Sequence, residues 1–189
     1  MKIGKIKNCC KDRSTVYLYQ REDGSQLISD GVAYWPVDSG LRLTEEALKS
    51  IFDIAPKAWN ESWVHETIML TEEPDMTELG AVPAHLLDEV WEASAEVQLD
   101  PVSDGVVLHR GVELMAFRED DGTCYYVPRK QLKTMDEDAQ YYMLRQVGNI
   151  RVLTVYESML TCGMVTVLRG ESAREVNDTI ARVINGAFK

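Results

Sequence analysis

QLISDGVAYWP at residues 26–36 and FREDDGTCYYVP at residues 117–128 decide how this chain is read. In each, an Asp-Gly pair precedes a run of β-formers, and proline stops the run. Glycine tolerates the positive φ of a tight turn, and aspartate bonds the backbone that follows it. Proline cannot donate to a sheet ladder. Both stretches therefore read as turn followed by strand. Overlaying them sets an offset of 91 residues, with Asp30-Gly31 on Asp121-Gly122 and Tyr34 on Tyr125.

The offset extends downstream. Leu41 falls on Leu132 and Glu46 on Glu137; Val64, Glu66 and Thr67 fall on Val155, Glu157 and Ser158; Ile68 and Met69 fall on Met159 and Leu160. Two further residues bring Leu87, Val90 and Trp91 onto Ile180, Val183 and Ile184. Order-preserving self-similarity of this kind is the mark of internal repetition. The fold class expected is α+β, built as two related β-β-β-α-β-α halves with antiparallel sheets and helices packed on one face. The halves are residues 1–98, acidic and rich in tryptophan, and residues 105–189, charge-neutral, with QLDPVSDG at 98–105 as the linker. A single α+β domain with echoing strand–turn–helix units is the alternative.

Periodicity fills in the elements. Val16–Gln20, Gln26–Ser29 and Val32–Trp35 form one three-strand meander; Val106–His109, Val112–Arg118 and Thr123–Val127 form the other. Thr44 caps a helix with Glu45 and Glu46 in its first turn and Ala47, Leu48, Ile51 and Phe52 on its apolar face. Asp136 caps a second helix running through Val147 to a stop at Gly148, against the strand-like Tyr141, Tyr142 and Met143. Strands follow at Val64–Leu70, Arg151–Tyr156 and Met164–Leu168. Pro83 opens a helix lined by Leu86, Leu87, Val90 and Trp91. Ser172–Glu175 is a capping box for a helix lined by Val176, Ile180, Val183 and Ile184.

Composition bounds the function. With 189 residues, 45% hydrophobic and 27% charged, the chain has a globular balance and enough length to bury a core. Its net charge of −11 is uneven: +5 over residues 1–21, −16 over 22–104 and zero over 105–189. An acidic chain argues against direct nucleic-acid binding. It suits a solvated surface, a face for a basic partner, or carboxylates that mimic nucleic-acid phosphates. No apolar run approaches the roughly 18 residues of a membrane span, and the first residues lack a signal-peptide core. A cytoplasmic setting is expected, and homo-oligomerisation is left open.

The candidate chemistry is sparse. Cys9, Cys10, Cys124 and Cys162 have no C-x-x-C spacing, and the pattern suits a reducing compartment. Cys9 and Cys10 stand between Lys7 and Lys11, which would lower a thiol pKa. A thiol-dependent hydrolase would pair Cys162 or Cys10 with His65 or His109. No H-E-x-x-H, phosphate-binding glycine loop or G-x-S-x-G elbow is present, so no metal or cofactor is expected. All four tryptophans lie in the first half. Trp59 and Trp63 are four apart and stack on one face if Pro56 starts a helix. Tryptophan anchors interfaces, so Trp59 and Trp63 with Glu61 and Glu66 form the expected binding face. The function expected is a non-enzymatic adaptor or regulatory protein that engages a basic partner. The thiol hydrolase and the acidic nucleic-acid mimic are the alternatives.

Overall fold

A computed structural model describes residues 3–21, 24–38, 40–70, 96–135, 141–147, 150–157, 160–168, 173–178 and 180. Among these residues the elements begin with α1 (Ile3–Arg13), β1 (Thr15–Arg21), β2 (Gln26–Ser29) and β3 (Ala33–Pro36). Next come α2 (Glu45–Phe52), α3 (Pro56–Ser62), β4 (Val64–Leu70) and β5 (Glu96–His109). Then follow β6 (Val112–Arg118), β7 (Cys124–Pro128), α4 (Arg129–Leu132), β8 (Tyr141–Val147), β9 (Ile150–Glu157) and β10 (Leu160–Thr166). A fifth helix, α5, covers residues 173–178.

The strands form one mixed sheet in the order β4-β1-β2-β3-β10-β9-β8-β5-β6-β7. Both expected meanders are present, as β1-β2-β3 and β5-β6-β7, each antiparallel throughout. Their Asp-Gly turns share one geometry. Oδ1 of Asp30 accepts from Val32 N–H at 2.9 Å, and Oδ1 of Asp121 accepts from Thr123 N–H at 2.7 Å. Gly31 and Gly122 take φ of +84° and +89°, in the left-handed region that favours glycine. Beyond the meanders the halves differ. The α2–α3 crossover returns β4 parallel to β1, whereas β8 lies antiparallel to β5. The expectation of purely antiparallel sheets is corrected accordingly, because a helical crossover permits a parallel neighbour where a short turn does not.

Residues 98–105 are not a linker. They run inside β5, whose pairing with β6 is interrupted between Pro101 and Val106. Proline and glycine here mark an irregularity that bends a long strand. The helix expected through Val147 is also corrected. Tyr141–Val147 is β8, in which Leu144 is buried in the core and Tyr142 packs against it, while Tyr141 stacks on Tyr156 at 4.8 Å. Its tyrosines favour strand, and pairing with both β5 and β9 outweighs the helix-cap reading. Asp136 and the helix expected from Pro83 lie outside the described residues.

The main core draws on the whole described chain. Ile6, Cys9 and Cys10 of α1, Leu18, Trp35, Phe52 and Trp59, and Leu99, Phe117, Val127, Leu153 and Val165 form one buried cluster. β6 alternates between two apolar environments: Phe117 enters this cluster, while Leu114 and Ala116 meet Val176 of α5. The segment after β10 reaches β7, where Leu168 N–H donates to Tyr126 O at 2.8 Å. α1 is an element the sequence patterns did not announce, although Ile3, Ile6, Cys9 and Cys10 recur at helical spacing on its packed side.

A buried polar chain stitches the two halves. Asp30 is fully buried. Its Oδ1 also accepts from Ala33 N–H at 2.8 Å, its Oδ2 accepts from Gln131 Nε2 at 2.9 Å, and its backbone oxygen accepts from Arg13 Nε at 2.9 Å. Thr134 Oγ1 donates to Gln131 O at 2.6 Å and accepts from Trp35 Nε1 at 2.6 Å. Every one of these buried groups has a partner, which burial demands.

Candidate functional site

α2, α3 and β4 assemble the residues singled out in the first half. Thr44 caps α2 as expected, accepting from Ala47 N–H at 3.2 Å. That start places Glu45 at the helix entrance. Its Oε1 accepts from Trp59 Nε1 at 2.9 Å and pairs with Lys49 Nζ at 2.8 Å. The hydrogen bonds from Lys49 and Trp59 hold the Glu45 carboxyl below its ordinary pKa. Pro56 opens α3 and aligns the rings. Trp59 stacks on Trp63 at 5.9 Å and on His65 at 4.4 Å. Lys49 Nζ stands 5.4 Å from the Trp59 ring, and His65 Nδ1 lies 3.9 Å from Glu45 Oε1. Val16, Glu45, Leu48, Trp59, His65, Glu66 and Thr67 line a shallow dent of about 10 Å³, no larger than a single water needs.

The four expected binding residues do not share one surface. Trp59 is 1% exposed and belongs to the core, and Trp63 packs against that core. Glu61 is exposed on α3. Glu66 follows His65 on β4, so its side chain leaves the opposite face of the sheet from the ring stack. Glu45 and Lys49, which the sequence reading did not nominate, hold the stack instead. The signal for them was present: they are an i,i+4 acid–base pair directly after a helix cap.

The structure buries two of the thiols and sets Cys162 apart from His65. Cys9 and Cys10 are buried on the packed side of α1. Burial, reinforced by the nearby Asp30 carboxylate, pushes Cys9 up to about 11 and Cys10 higher still. The activation expected from Lys7 and Lys11 is thereby overturned, since desolvation of a thiolate outweighs two solvated ammonium groups. Cys162 sits in β10, four strands from His65 in β4, a lateral separation of roughly 19 Å at the usual strand spacing. His109 closes β5 with Nε2 at 3.5 Å from Glu175 Oε2, and Arg110 also pairs with Glu175 at 2.8 Å. That cluster ties α5 to the β5–β6 hairpin. No disulfide joins the four cysteines, and no group of three or more metal-ligating side chains is found among the described residues.

β4 itself has the most distinctive surface. It is one of the two outermost strands, β7 being the other, and among the described residues it pairs with β1 alone. Val64 N–H donates to Ser14 O at 2.9 Å, which sets the phase of the strand. Backbone groups alternate sides along a strand. Val64, Glu66 and Ile68 therefore point theirs toward β1, and His65, Thr67 and Met69 point theirs away from the sheet. Val64 and Met69 are 54% and 56% exposed.

Comparison with protein-family models, curated proteins and solved structures finds no match for this chain. The chain is an α+β protein, and no helix among the described residues is long and apolar enough to cross a membrane.

Proposed function

We propose that this protein is a non-enzymatic interaction protein, an adaptor or regulator whose acidic first half receives a basic partner. The observation that carries this reading is the surface around β4. β4 exposes the apolar Val64 and Met69, with the exposed Glu66 between them along the strand and the exposed Glu61 on the preceding α3. Large apolar side chains left exposed beside carboxylates on an edge strand suit a surface that a partner covers. The inert, buried Cys9 and Cys10 weigh against the thiol hydrolase. The shared geometry of the two Asp-Gly turns supports a duplicated origin for the halves, and the four reduced cysteines suit a cytoplasmic setting.

The test is affinity capture from a native lysate across a salt series, using the full chain and the double variant Glu61→Lys/Glu66→Lys. Capture should fall as salt rises and should weaken in the variant. Capture no greater than background at low salt, or equal for both proteins, would remove the proposal.

A further inference from the structure

We infer that the free edge of β4 is a docking rail for an extended, basic segment of a partner protein, which adds to the sheet as an eleventh strand. The inference rests on the interaction reading above and names the mode of binding and the partner's chemistry. β4 runs seven residues, VHETIML, without a ladder partner on its outer side among the described residues. An edge of this kind is a template for another chain, and proteins usually blunt it with lysine, proline, a bulge or brevity. β4 has no lysine or proline, pairs with β1 without a bulge, and carries a single carboxylate, Glu66. Instead it exposes Val64 and Met69, one near each end.

The phase of the strand says which groups would engage. The N–H and C=O groups of His65, Thr67 and Met69 face outward and are available to an added strand, while those of Val64, Glu66 and Ile68 serve β1. Such strand addition draws affinity from main-chain hydrogen bonds and specificity from alternate side chains. The side chains offered are Glu66 with Val64 on one face, and Met69 on the other, with Glu61 exposed on the neighbouring α3. Carboxylates beside aliphatics call for a segment that alternates basic and aliphatic residues, because opposite charges across a strand pair attract and like charges repel.

The probe is a capped peptide of alternating lysine and valine, with a glutamate–valine peptide as its control. Amide exchange is followed by NMR on the full chain. In the free protein the amides of His65, Thr67 and Met69 should exchange fast and those of Glu66 and Ile68 slowly. The lysine peptide should slow the first set, and the glutamate peptide should not. Thr67→Pro removes an outward N–H only, a position where an edge strand tolerates proline. It should keep the fold and weaken the peptide by roughly tenfold or more, the effect of about one lost hydrogen bond.

Peptide binding that survives in Thr67→Pro, or that leaves the three amides fast, overturns the rail while leaving the acidic partner face standing. Equal binding of both peptides overturns the basic occupant. Slow exchange of the three amides in the free protein overturns the open edge, and if that slowing grows with protein concentration the occupant is a second copy. Absence of salt-dependent binding to any basic probe removes the interaction reading itself. The exchange measurement uses the unaltered chain, so the outcome stands even if Thr67→Pro fails to fold.

Discussion

Replacing Asp30 with alanine tests whether the two halves are held by polar chemistry as well as by apolar packing. The carboxylate is fully buried and accepts from Val32 N–H, Ala33 N–H and Gln131 Nε2, all between 2.8 and 2.9 Å. Alanine orphans all three donors. An orphaned buried donor costs about 1–3 kcal/mol, and Val32, at the margin, recruits water. The remaining two donors sum to about 2–6 kcal/mol, a large share of the roughly 5–15 kcal/mol that holds a typical domain. An asparagine at this position, by contrast, keeps an oxygen for the two backbone donors and turns an amide toward Gln131, which can reverse its own amide in reply. Asp30→Asn should therefore cost about 1–2 kcal/mol. Urea unfolding followed by tryptophan fluorescence gives both values, with an NMR amide spectrum confirming that the fold persists. A double cycle with Gln131→Met should reveal coupling between residues 101 positions apart. A loss under about 1 kcal/mol for Asp30→Ala, or a larger loss for Asp30→Asn than for Asp30→Ala, would refute the reasoning.

Three further outcomes follow from the core. A Cβ on Gly163 would stand 2.7 Å from Met135 Sδ and 2.9 Å from Tyr34 O. Methionine can shift but a ladder carbonyl cannot, so Gly163→Ala should cost about 1–3 kcal/mol, and Met135→Leu should restore only part of it; thermal melts decide. Raising pH should destabilise the fold from about pH 9 upward. Burial and Asp30 raise Cys9 from 9.0 to about 11 and Tyr34 from 10.0 to about 12, so the unfolded chain loses these protons first. Urea midpoints between pH 8 and 10.5 should fall, and Cys9→Ala should flatten the decline. Native Cys9 and Cys10 should resist alkylation near neutral pH, against rapid labelling in urea. Fast native labelling of Cys10 would contradict its burial.

Much of the fold was legible one residue at a time. Val64–Leu70 and the meander strands announce themselves through alternation, and Thr44 with Glu45 and Glu46 announces α2. Asp30 and Asp121 predicted their own turns. Local rules failed where two signals competed. Tyr141–Val147 followed a helix-cap signal yet carried strand-forming tyrosines, and the choice fell to pairing with β9. Pro101 and Gly105 looked like a linker because they break regular pairing, yet the strand continues through them. The site was less legible. Trp59 and Trp63 stack as their spacing implied, but whether a tryptophan meets solvent depends on what packs above it.

The sequence by itself determined the α+β class, the two Asp-Gly meanders, the acidic first half and the scarcity of catalytic motifs. These depend on nearest neighbours along the chain: turn chemistry, period and charge count. Only the tertiary structure decided that the halves share one core and that β4 returns parallel to β1. It also turned Cys9 and Cys10 from a reactive pair into an inert one, and left the edge of β4 without a ladder partner among the described residues. Each of those outcomes depends on groups far apart in sequence, whose desolvation and pairing no local pattern encodes.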